Sequence, residues 1–328
     1  MNRILVRIDR YFKYPDIMRQ TPKGEGVWGN IVFTEEKISE CDYLVILDHP
    51  HTDIKVKVNP ENIIHICMEP PNEMSIYRQF GNKLNRYRFG SINTSKSSVL
   101  SHGALPWHIN KSYDYLKELK SHDLIKENRI AWITSNQKVT NGHRQRMHFL
   151  EKIKKIKELD LFGRGIKPID DKWDVLSKCK YGIAYENYSA PYYWTEKIID
   201  CYLSYTMPIY IGNQAISNYF PKESYIQIDP KSVDIEEQIK EILKLDLYEK
   251  NMDSIIGARN LILERYQLFP FLSTFIMFNE STQGFLKKSK RKEINIKGGS
   301  EYFDNVPFYI NLKKNLVKLK NKTNSIIK

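Results

Sequence analysis

Short apolar runs that end in polar residues alternate with helical segments along this chain, and this alternation constrains the fold more than any other feature. Three such runs lie near the N-terminus: "RILVRID" (3–9), "DYLVILD" (42–48) and "NIIHICMEPP" (62–71). Runs of this length are typical of parallel strands that are covered on both faces. The sequence therefore predicts an α/β domain with a parallel sheet, whose polar residues lie at the carboxyl ends of the strands.

A second series of the same kind begins at residue 129. Strands are predicted at "RIAWITSN" (129–136), "LDLFGRG" (159–165), "KYGIAYEN" (180–187) and "MPIYIG" (207–212), and helices at "RQRMHFLEKIKKI" (144–156) and "TEKIIDCYLSY" (195–205). A chain of 328 residues is long enough for two such domains. We predict domains at 1–125 and 126–275, linked by the charged segment 111–128, and C-terminal helices with a basic tail at 276–328.

The stretch "YENYSAPYYWTEK" (185–197) joins a predicted strand to a predicted helix. Parallel-sheet domains bind ligands outside the carboxyl ends of their strands, and the unpaired N–H groups of a helix start attract anions. Lys197 would add a full positive charge where the helix dipole is already positive, which favours an anionic ligand nearby. The alternative is that Glu196 and Lys197 form an exposed ion pair and the tyrosines simply pack.

The net charge of +12 is concentrated at the C-terminus. Residues 286–328 hold twelve basic and three acidic residues, so the rest of the chain carries only +3. This distribution argues against a nucleic-acid partner. The segment "YINLKKNLVKLK" (309–320) predicts a basic amphipathic helix that either lies on an anionic membrane or is a solvated terminal helix. With no apolar run of ~20 residues and no signal peptide, we expect a cytoplasmic protein, with peripheral contact at the inner face of the membrane as one option.

No metal site is predicted. The cysteines Cys41, Cys67, Cys179 and Cys201 are scattered and are expected to be reduced, buried thiols. The motif "HPHTD" (49–53) is interpreted as a polar loop, because two histidines without a third ligand rarely hold a metal. The motif "DDKWD" (170–174) is interpreted as a solvated loop or a helix start.

The segment "KYGIAYENYSAPYYWTEKIIDCYLSYTMPIYIG" (180–212) resembles the signature region of the α-1,3/4-fucosyltransferases, glycosyltransferase family 10, of bacterial type. Upstream, "WITSNQKVTNGHRQRMHFLEKI" (132–153) resembles the Ser-Asn and Arg segment of that family, and "ICMEPP" (66–71) resembles the stretch with its proposed base. The insertion "QKVTNGH" leaves Arg144 and Arg146 in competition for the family's arginine. Arg146 is favoured because "RMHFLEKI" keeps the expected apolar helix register.

The resemblance implies a GT-B fold, in which two Rossmann-like domains with parallel sheets face each other across a cleft. The N-terminal domain would bind the acceptor and the C-terminal domain the nucleotide sugar. The implied activity is an inverting, metal-independent transfer of L-fucose from GDP-fucose to a hydroxyl of an acceptor glycan, in surface polysaccharide or lipopolysaccharide synthesis, with no cofactor. The alternatives are a transferase of the same fold that uses another nucleotide sugar, and a non-catalytic protein that binds a membrane or nucleic acid.

The resemblance also implies roles for individual residues. Glu69 is the implied general base, with Glu73 as its rival. Arg146 and Lys197 would meet the charge that develops on the leaving diphosphate. Further contacts with the donor are implied for a group of neighbouring positions: Arg144, Glu186, Asn187, Tyr193, Thr195 and Glu196.

Overall fold

The computed structural model describes residues 3–70, 86–91, 96–138, 140–283 and 291–303, together with positions 308, 312, 315 and 316. The chain divides into two compact units. Unit 1 is Met1–Leu105 with Leu268–Lys328, and unit 2 is Pro106–Gln267. The first boundary therefore falls at Leu105 rather than at residue 125, and the chain returns to unit 1 at Leu268 rather than leaving unit 2 at residue 275.

The elements of unit 1 follow the chain from its N-terminus and resume near its C-terminus. The strands are β1 Ile4–Arg10, β2 Val27–Trp28, β3 Ile31–Thr34, β4 Tyr43–Leu47, β5 Ile54–Val58, β6 Ile63–Ile66, β7 Tyr87–Gly90 and β8 Ser98–Leu100. The elements of unit 2 are α1 Tyr113–Glu118, β9 Glu127–Ile133, α2 Asn141–Ile153, β10 Leu159–Phe162, α3 Trp173–Leu176, β11 Cys179–Tyr185, α4 Glu196–Leu203, β12 Met207–Ile211, β13 Ile226–Gln227, α5 Ile235–Lys244, α6 Leu247–Lys250 and α7 Met252–Leu261. Unit 1 then adds α8 Leu268–Gln283 and β14 Lys292–Ile296.

The main sheet of unit 1 has the order β2-β3-β1-β4-β6-β7-β8. Neighbouring strands are parallel except for the short β2, which is antiparallel to β3. Apolar residues of α8, among them Phe269 and Ile276, are buried in the same core cluster as residues of β1 and β4. The predicted strands at 3–9, 42–48 and 62–71 are confirmed as β1, β4 and β6.

The sheet of unit 2 is parallel throughout, with the order β10-β9-β11-β12-β13. All four predicted strands and both predicted helices are present. The charged segment 111–128, predicted to be a linker, instead belongs to unit 2 and contains α1. The predicted fold class, α/β with two Rossmann-like units as in the GT-B fold, is confirmed, whereas the cleft between them stays a prediction.

The C-terminal segment differs from the predicted helices and tail. Residues Lys292–Ile296 form β14, which pairs antiparallel with β5 in a separate two-stranded sheet. The predicted amphipathic helix at 309–320 lies almost wholly outside the described residues. Within the residues that the structure describes, no helix is long and apolar enough to cross a membrane.

The four cysteines are free and buried, as predicted. Burial raises the pKa of each thiol to about 12, so each stays protonated near neutral pH.

Candidate functional site

The carboxyl ends of β9 and β11 lie side by side in unit 2. The chain passes from β9 to β10 on one side and then crosses to β11 on the other, so the order of the strands reverses between β9 and β11. In open parallel sheets, ligands bind outside the carboxyl ends at such a reversal. Ser135 follows β9, and Glu186 and Asn187 follow β11. The polar residues that end these two strands therefore occupy the ligand-binding edge of the sheet.

Arg146 connects the two strand ends. Its Nη1 donates to Asn187 Oδ1 at 2.7 Å, and its Nη2 donates to Ser135 O at 3.0 Å and to Ser135 Oγ at 3.1 Å. The side chain is only 5% exposed, and burial lowers its pKa. Among the described residues, its Nε has no hydrogen-bond partner and no carboxylate pairs with the guanidinium. As far as the structure describes the chain, Arg146 is thus a buried cation without a counter-charge at this edge.

Arg144 lies on the same helix, α2, but in a different environment. It is exposed, and its Nη1 donates to the carbonyl of Lys138 at 3.4 Å. Of the two competing arginines, Arg146 is the one that contacts the ends of β9 and β11.

The start of α2 lies very close to the end of β11. A Cβ added at Gly142 would lie 1.8 Å from the carbonyl oxygen of Asn187, so a larger residue cannot fit there without a shift of the backbone. Thr140 caps the helix, because its Oγ1 accepts a hydrogen bond from His143 N at 3.2 Å. Burial, followed by the nearby charges of Arg146 and Lys197, lowers the pKa of His143 to about 4. His143 is therefore neutral near pH 7.

Glu186 organises the start of α4. Its Oε1 accepts a hydrogen bond from Thr195 N at 2.8 Å, and its Oε2 accepts from Thr195 Oγ1 at 2.8 Å and from Lys197 Nζ at 3.3 Å. Burial raises the pKa of Glu186, and Lys197 opposes that rise. Thr195 in turn caps α4. A contribution of Glu186 to donor binding would therefore act through the positions of Thr195 and Lys197.

Lys197 and Glu196 pair with each other, their Nζ and Oε1 atoms lying 3.5 Å apart. The side chains are 22% and 17% exposed, so the alternative of an exposed pair is not what the structure shows. Lys197 also donates to Thr195 Oγ1 at 2.8 Å. Because two carboxylates already contact Lys197, its charge is largely compensated, unlike that of Arg146.

Lys172 and Asp200 extend this network, and the sequence interpretation missed both. Lys172 Nζ lies 2.7 Å from Asp200 Oδ2 and 4.0 Å from Glu196 Oε1. Asp200 is 1% exposed, and its Oδ1 accepts a hydrogen bond from His108 N at 2.8 Å. Burial pushes the pKa of Glu196 upward, but Lys197, Lys172 and His108 together hold it well below its ordinary value. The sequence does contain one signal for Asp200, because it is the only acidic residue in the otherwise largely apolar stretch "KIIDCYL" (197–203).

The aromatic residues of 185–197 serve mainly as packing. Trp194 is buried against Tyr219, Phe220 and Tyr266. Tyr193 is also buried and meets Tyr188 edge to face. Its predicted role in positioning the donor stays a prediction.

Glu69 follows β6 at the carboxyl edge of the sheet in unit 1, where the sequence placed it. Its backbone N–H donates to Asp48 Oδ1 at 3.3 Å, and the N–H of Met68 donates to the same oxygen at 2.9 Å. Asp48 follows β4 and has a φ of 56°, a left-handed conformation that aspartate tolerates better than most residues. Asp48 thus holds the backbone of Glu69 in place. The rival base Glu73 lies outside the described residues.

Among the described residues, no group of three or more His, Cys, Asp or Glu side chains is arranged to hold a metal ion. In "DDKWD", Asp171 Oδ1 accepts a hydrogen bond from Trp173 N at 3.0 Å, so this motif begins a helix, α3.

Residues 124–254 match the family model of Glycosyltransferase family 10 (fucosyltransferase), C-terminal part. This segment is therefore a domain of that family, as the resemblance predicted, and it contains Arg146, Glu186 and Lys197. The chain is 27% identical over 109 residues to human 4-galactosyl-N-acetylglucosaminide 3-alpha-L-fucosyltransferase 9, covering 32% of this chain and 30% of the human protein. It is 37% identical over 60 residues to the alpha-(1,3)-fucosyltransferase FucT of Helicobacter pylori, covering 18% of this chain and 13% of that protein.

Two solved structures are similar over most of the chain. One is an alpha1,3-fucosyltransferase, with a TM-score of 0.47 and 15% identity over 86% of this chain and 90% of the other. The second is an alpha1,3-fucosyltransferase with GDP-fucose, with a TM-score of 0.44 and 15% identity over 82% of this chain and 92% of the other. The family assignment depends on residues 124–254 and not on these two likenesses.

Proposed function

We propose that the protein is a fucosyltransferase that transfers L-fucose from GDP-fucose to a hydroxyl group of an acceptor glycan. The observation that carries the proposal is the buried guanidinium of Arg146, which no described carboxylate compensates and which lies where the strand order of a family 10 domain reverses. A buried cation without a counter-charge is costly unless an anion joins it. The diphosphate of a nucleotide sugar is an anion of the required kind, and arginine offers it a planar fork of donors.

The chemistry of the transfer follows from these charges. Cleavage of the bond between the anomeric carbon and the phosphate oxygen leaves negative charge on the nucleoside diphosphate. Arg146, with Lys197 at the start of α4, would stabilise that charge, the task that a divalent cation performs in metal-dependent transferases. We therefore propose a reaction that needs no added metal. Glu196 would accept hydrogen bonds from sugar hydroxyls, because its low pKa keeps it ionised.

Glu69 is the proposed base. In a single displacement the acceptor hydroxyl attacks the face opposite the leaving group and loses its proton to a carboxylate, so the configuration at the anomeric carbon inverts. The hydrogen bonds from the backbone of residues 68 and 69 to Asp48 support the proposal, because they fix the place from which the Glu69 side chain extends.

Nucleotide titration tests the proposal. GDP and GDP-fucose should raise the melting temperature of the full chain in a buffer that contains EDTA, because a ligand that binds the native state stabilises it. UDP should produce no comparable shift, and GDP-fucose with an acceptor sugar should release GDP. Stabilisation by UDP-sugars alone, or an absolute requirement for manganese, would contradict the proposal.

A transferase of the same fold with another nucleotide sugar is the second candidate. The contacts proposed for Arg146 and Lys197 are with a diphosphate, which GDP-sugars and UDP-sugars share, so these contacts do not distinguish the base or the sugar. The same titration separates the two candidates.

The cellular setting that we propose is the synthesis of surface polysaccharide or lipopolysaccharide at the inner face of the membrane. The net charge of +9 in residues 286–328 supports it, since clustered lysines are attracted to anionic lipid.

A further inference from the structure

An aromatic pair lies at the carboxyl edge of the sheet in unit 1. Tyr11 follows β1 and His49 follows β4, the neighbouring strands between which the strand order of this sheet reverses. Their rings are stacked, with centroids 4.5 Å apart and an interplanar angle of 22°. His49 is 6% exposed, but Tyr11 is 49% exposed. The ring of His51 also lies near Tyr11, with centroids 5.4 Å apart and an interplanar angle of 53°. One buried ring therefore supports the tyrosine, and about half of the tyrosine stays open to solvent.

The loop that carries His49 is held by the C-terminal segment. Gly299 N donates to the carbonyl of Pro50 at 2.9 Å, and Gly298 N donates to Asp53 Oδ1 at 2.9 Å. A Cβ added at Gly298 would lie 2.2 Å from the carbonyl carbon of Thr52, so the close approach requires glycine. The segment after β14 thus fixes the loop "HPHTD", and a fixed loop loses little entropy when a ligand binds.

The same loop is joined to the proposed base. Asp48, which precedes His49, accepts the hydrogen bonds from the backbone of Met68 and Glu69. The exposed tyrosine ring and the carboxylate therefore share one edge of one sheet, and both are positioned by residues 48 and 49.

We infer that Tyr11, supported by His49, is the floor of an acceptor-sugar subsite. A pyranose ring presents a face of C–H groups that packs on an aromatic ring, while its hydroxyls remain available to polar neighbours such as the exposed His51, whose ring centroid lies 5.4 Å from that of Tyr11. Ligand sites commonly combine an aromatic surface with a few polar groups, and they occur where the strand order of a parallel sheet reverses. This inference rests on the proposed function, because it takes the acceptor to be a sugar.

The experiment compares Tyr11→Ala, Tyr11→Phe and, as a matched control, Tyr14→Ala, which removes another exposed tyrosine from the same segment. Direct binding is measured by saturation-transfer NMR of 4-galactosyl-N-acetylglucosamine, galactose and N-acetylglucosamine on the full chain with GDP present. Steady-state transfer assays give the KM for acceptor and for GDP-fucose, and calorimetry gives the affinity for GDP.

Tyr11→Ala should raise the acceptor KM by about tenfold, while Tyr11→Phe and Tyr14→Ala stay within about twofold of the parent protein. The NMR signals of one of these sugars should be strong with the parent protein and with Tyr11→Phe, and weak with Tyr11→Ala. GDP affinity should be the same in all four proteins. The inference is overturned if none of the sugars gives a signal with the parent protein, or if Tyr11→Ala retains the signal or an unchanged acceptor KM. Failure of GDP to bind the parent protein would instead refute the proposed donor. The sugar-binding measurement would still test whether Tyr11 contributes to binding of the acceptor sugar.

Discussion

Replacing Arg146 with lysine should weaken GDP binding without unfolding the protein. A guanidinium has five N–H donors. The three hydrogen bonds to Asn187 and Ser135 leave the Nε–H and one Nη1–H unused. A hydrogen bond to a charged group contributes ~1.5–3 kcal/mol. Lysine keeps the positive charge but lacks the planar set of N–H donors of the guanidinium. The loss of one such bond corresponds to a fall in GDP affinity of about 10- to 150-fold.

The matched control is Arg144→Lys, which changes an exposed arginine on the same helix by the same chemical difference. Calorimetric titration with GDP and a thermal melt are measured for the parent protein and both variants. Arg146→Lys should bind GDP weakly, and its melting temperature should fall modestly, because lysine cannot satisfy both Asn187 Oδ1 and Ser135 O. Arg144→Lys should match the parent protein in both measurements.

Arg146→Ala is a less informative change. It leaves Asn187 Oδ1 and the Ser135 carbonyl without their donor, and each such loss costs about 1–3 kcal/mol of stability. If Arg146→Lys binds GDP normally while Arg144→Lys does not, the phosphate-binding arginine is Arg144 and the assignment from the buried guanidinium is wrong.

Three further predictions concern unit 1. Glu69→Gln should reduce turnover by about a hundredfold or more and leave the calorimetric affinity for GDP-fucose unchanged, because it removes only the base. Burial, followed by the charge of Arg88, lowers the pKa of His65 to about 3, so the free energy of unfolding should decrease as the pH falls below 6.5, by up to ~1.4 kcal/mol per pH unit for this proton. Urea unfolding should show a flatter pH dependence for His65→Asn. Deletion of residues 304–328 should weaken binding to anionic vesicles but preserve the melting temperature, whereas deletion of 284–328 should also lower the melting temperature, because it removes β14.

For each of these three predictions, a particular result would contradict it. Near-normal turnover of Glu69→Gln, or loss of donor binding, would show that Glu69 is not the base. A pH dependence of unfolding that is the same in His65→Asn would mean that other groups cause it. Equal melting temperatures of the two truncated proteins would mean that the pairing of β14 with β5 does not stabilise unit 1, and unchanged vesicle binding would remove the membrane role of the tail.

The strands that form the centre of each sheet were predictable because their signal is local. Buried parallel strands such as β4 and β12 are continuous apolar runs, and the start of α4 follows from a capping threonine. The strand β14 was not predictable in this way. Its partner β5 is more than two hundred residues away, and "KEINI" lies in a basic stretch where alternation is weak. The partner β5, "IKVKV", does alternate apolar and polar residues, but this periodicity does not indicate which distant segment pairs with it.

The residues of the candidate site likewise divide into those with a local signal in the sequence and those without one. Arg146 and Glu69 were identified because the segments 132–153 and 66–71 resemble motifs of the family, and Glu69 in addition follows directly on a predicted strand. Lys172 and Asp200 belong to the site only because α3 and α4 lie beside each other, a long-range fact that spacing along the chain does not contain. The stack of Tyr11 on His49 was hidden for the same reason, since "HPHTD" by itself indicates only a polar loop.

The charges near the start of α4 separate the proposed roles of its residues. Lys197 forms ion pairs with both Glu186 and Glu196, so these two carboxylates compensate much of its charge. Burial raises the pKa of Glu186 and Lys197 opposes that rise, whereas the nearby lysines hold the pKa of Glu196 well below its ordinary value and keep it ionised. An ionised Glu196 would repel a diphosphate but accept hydrogen bonds from hydroxyl groups. The diphosphate should therefore bind nearer to Arg146, whose charge no described carboxylate compensates, and the sugar hydroxyls should lie nearer to Glu196.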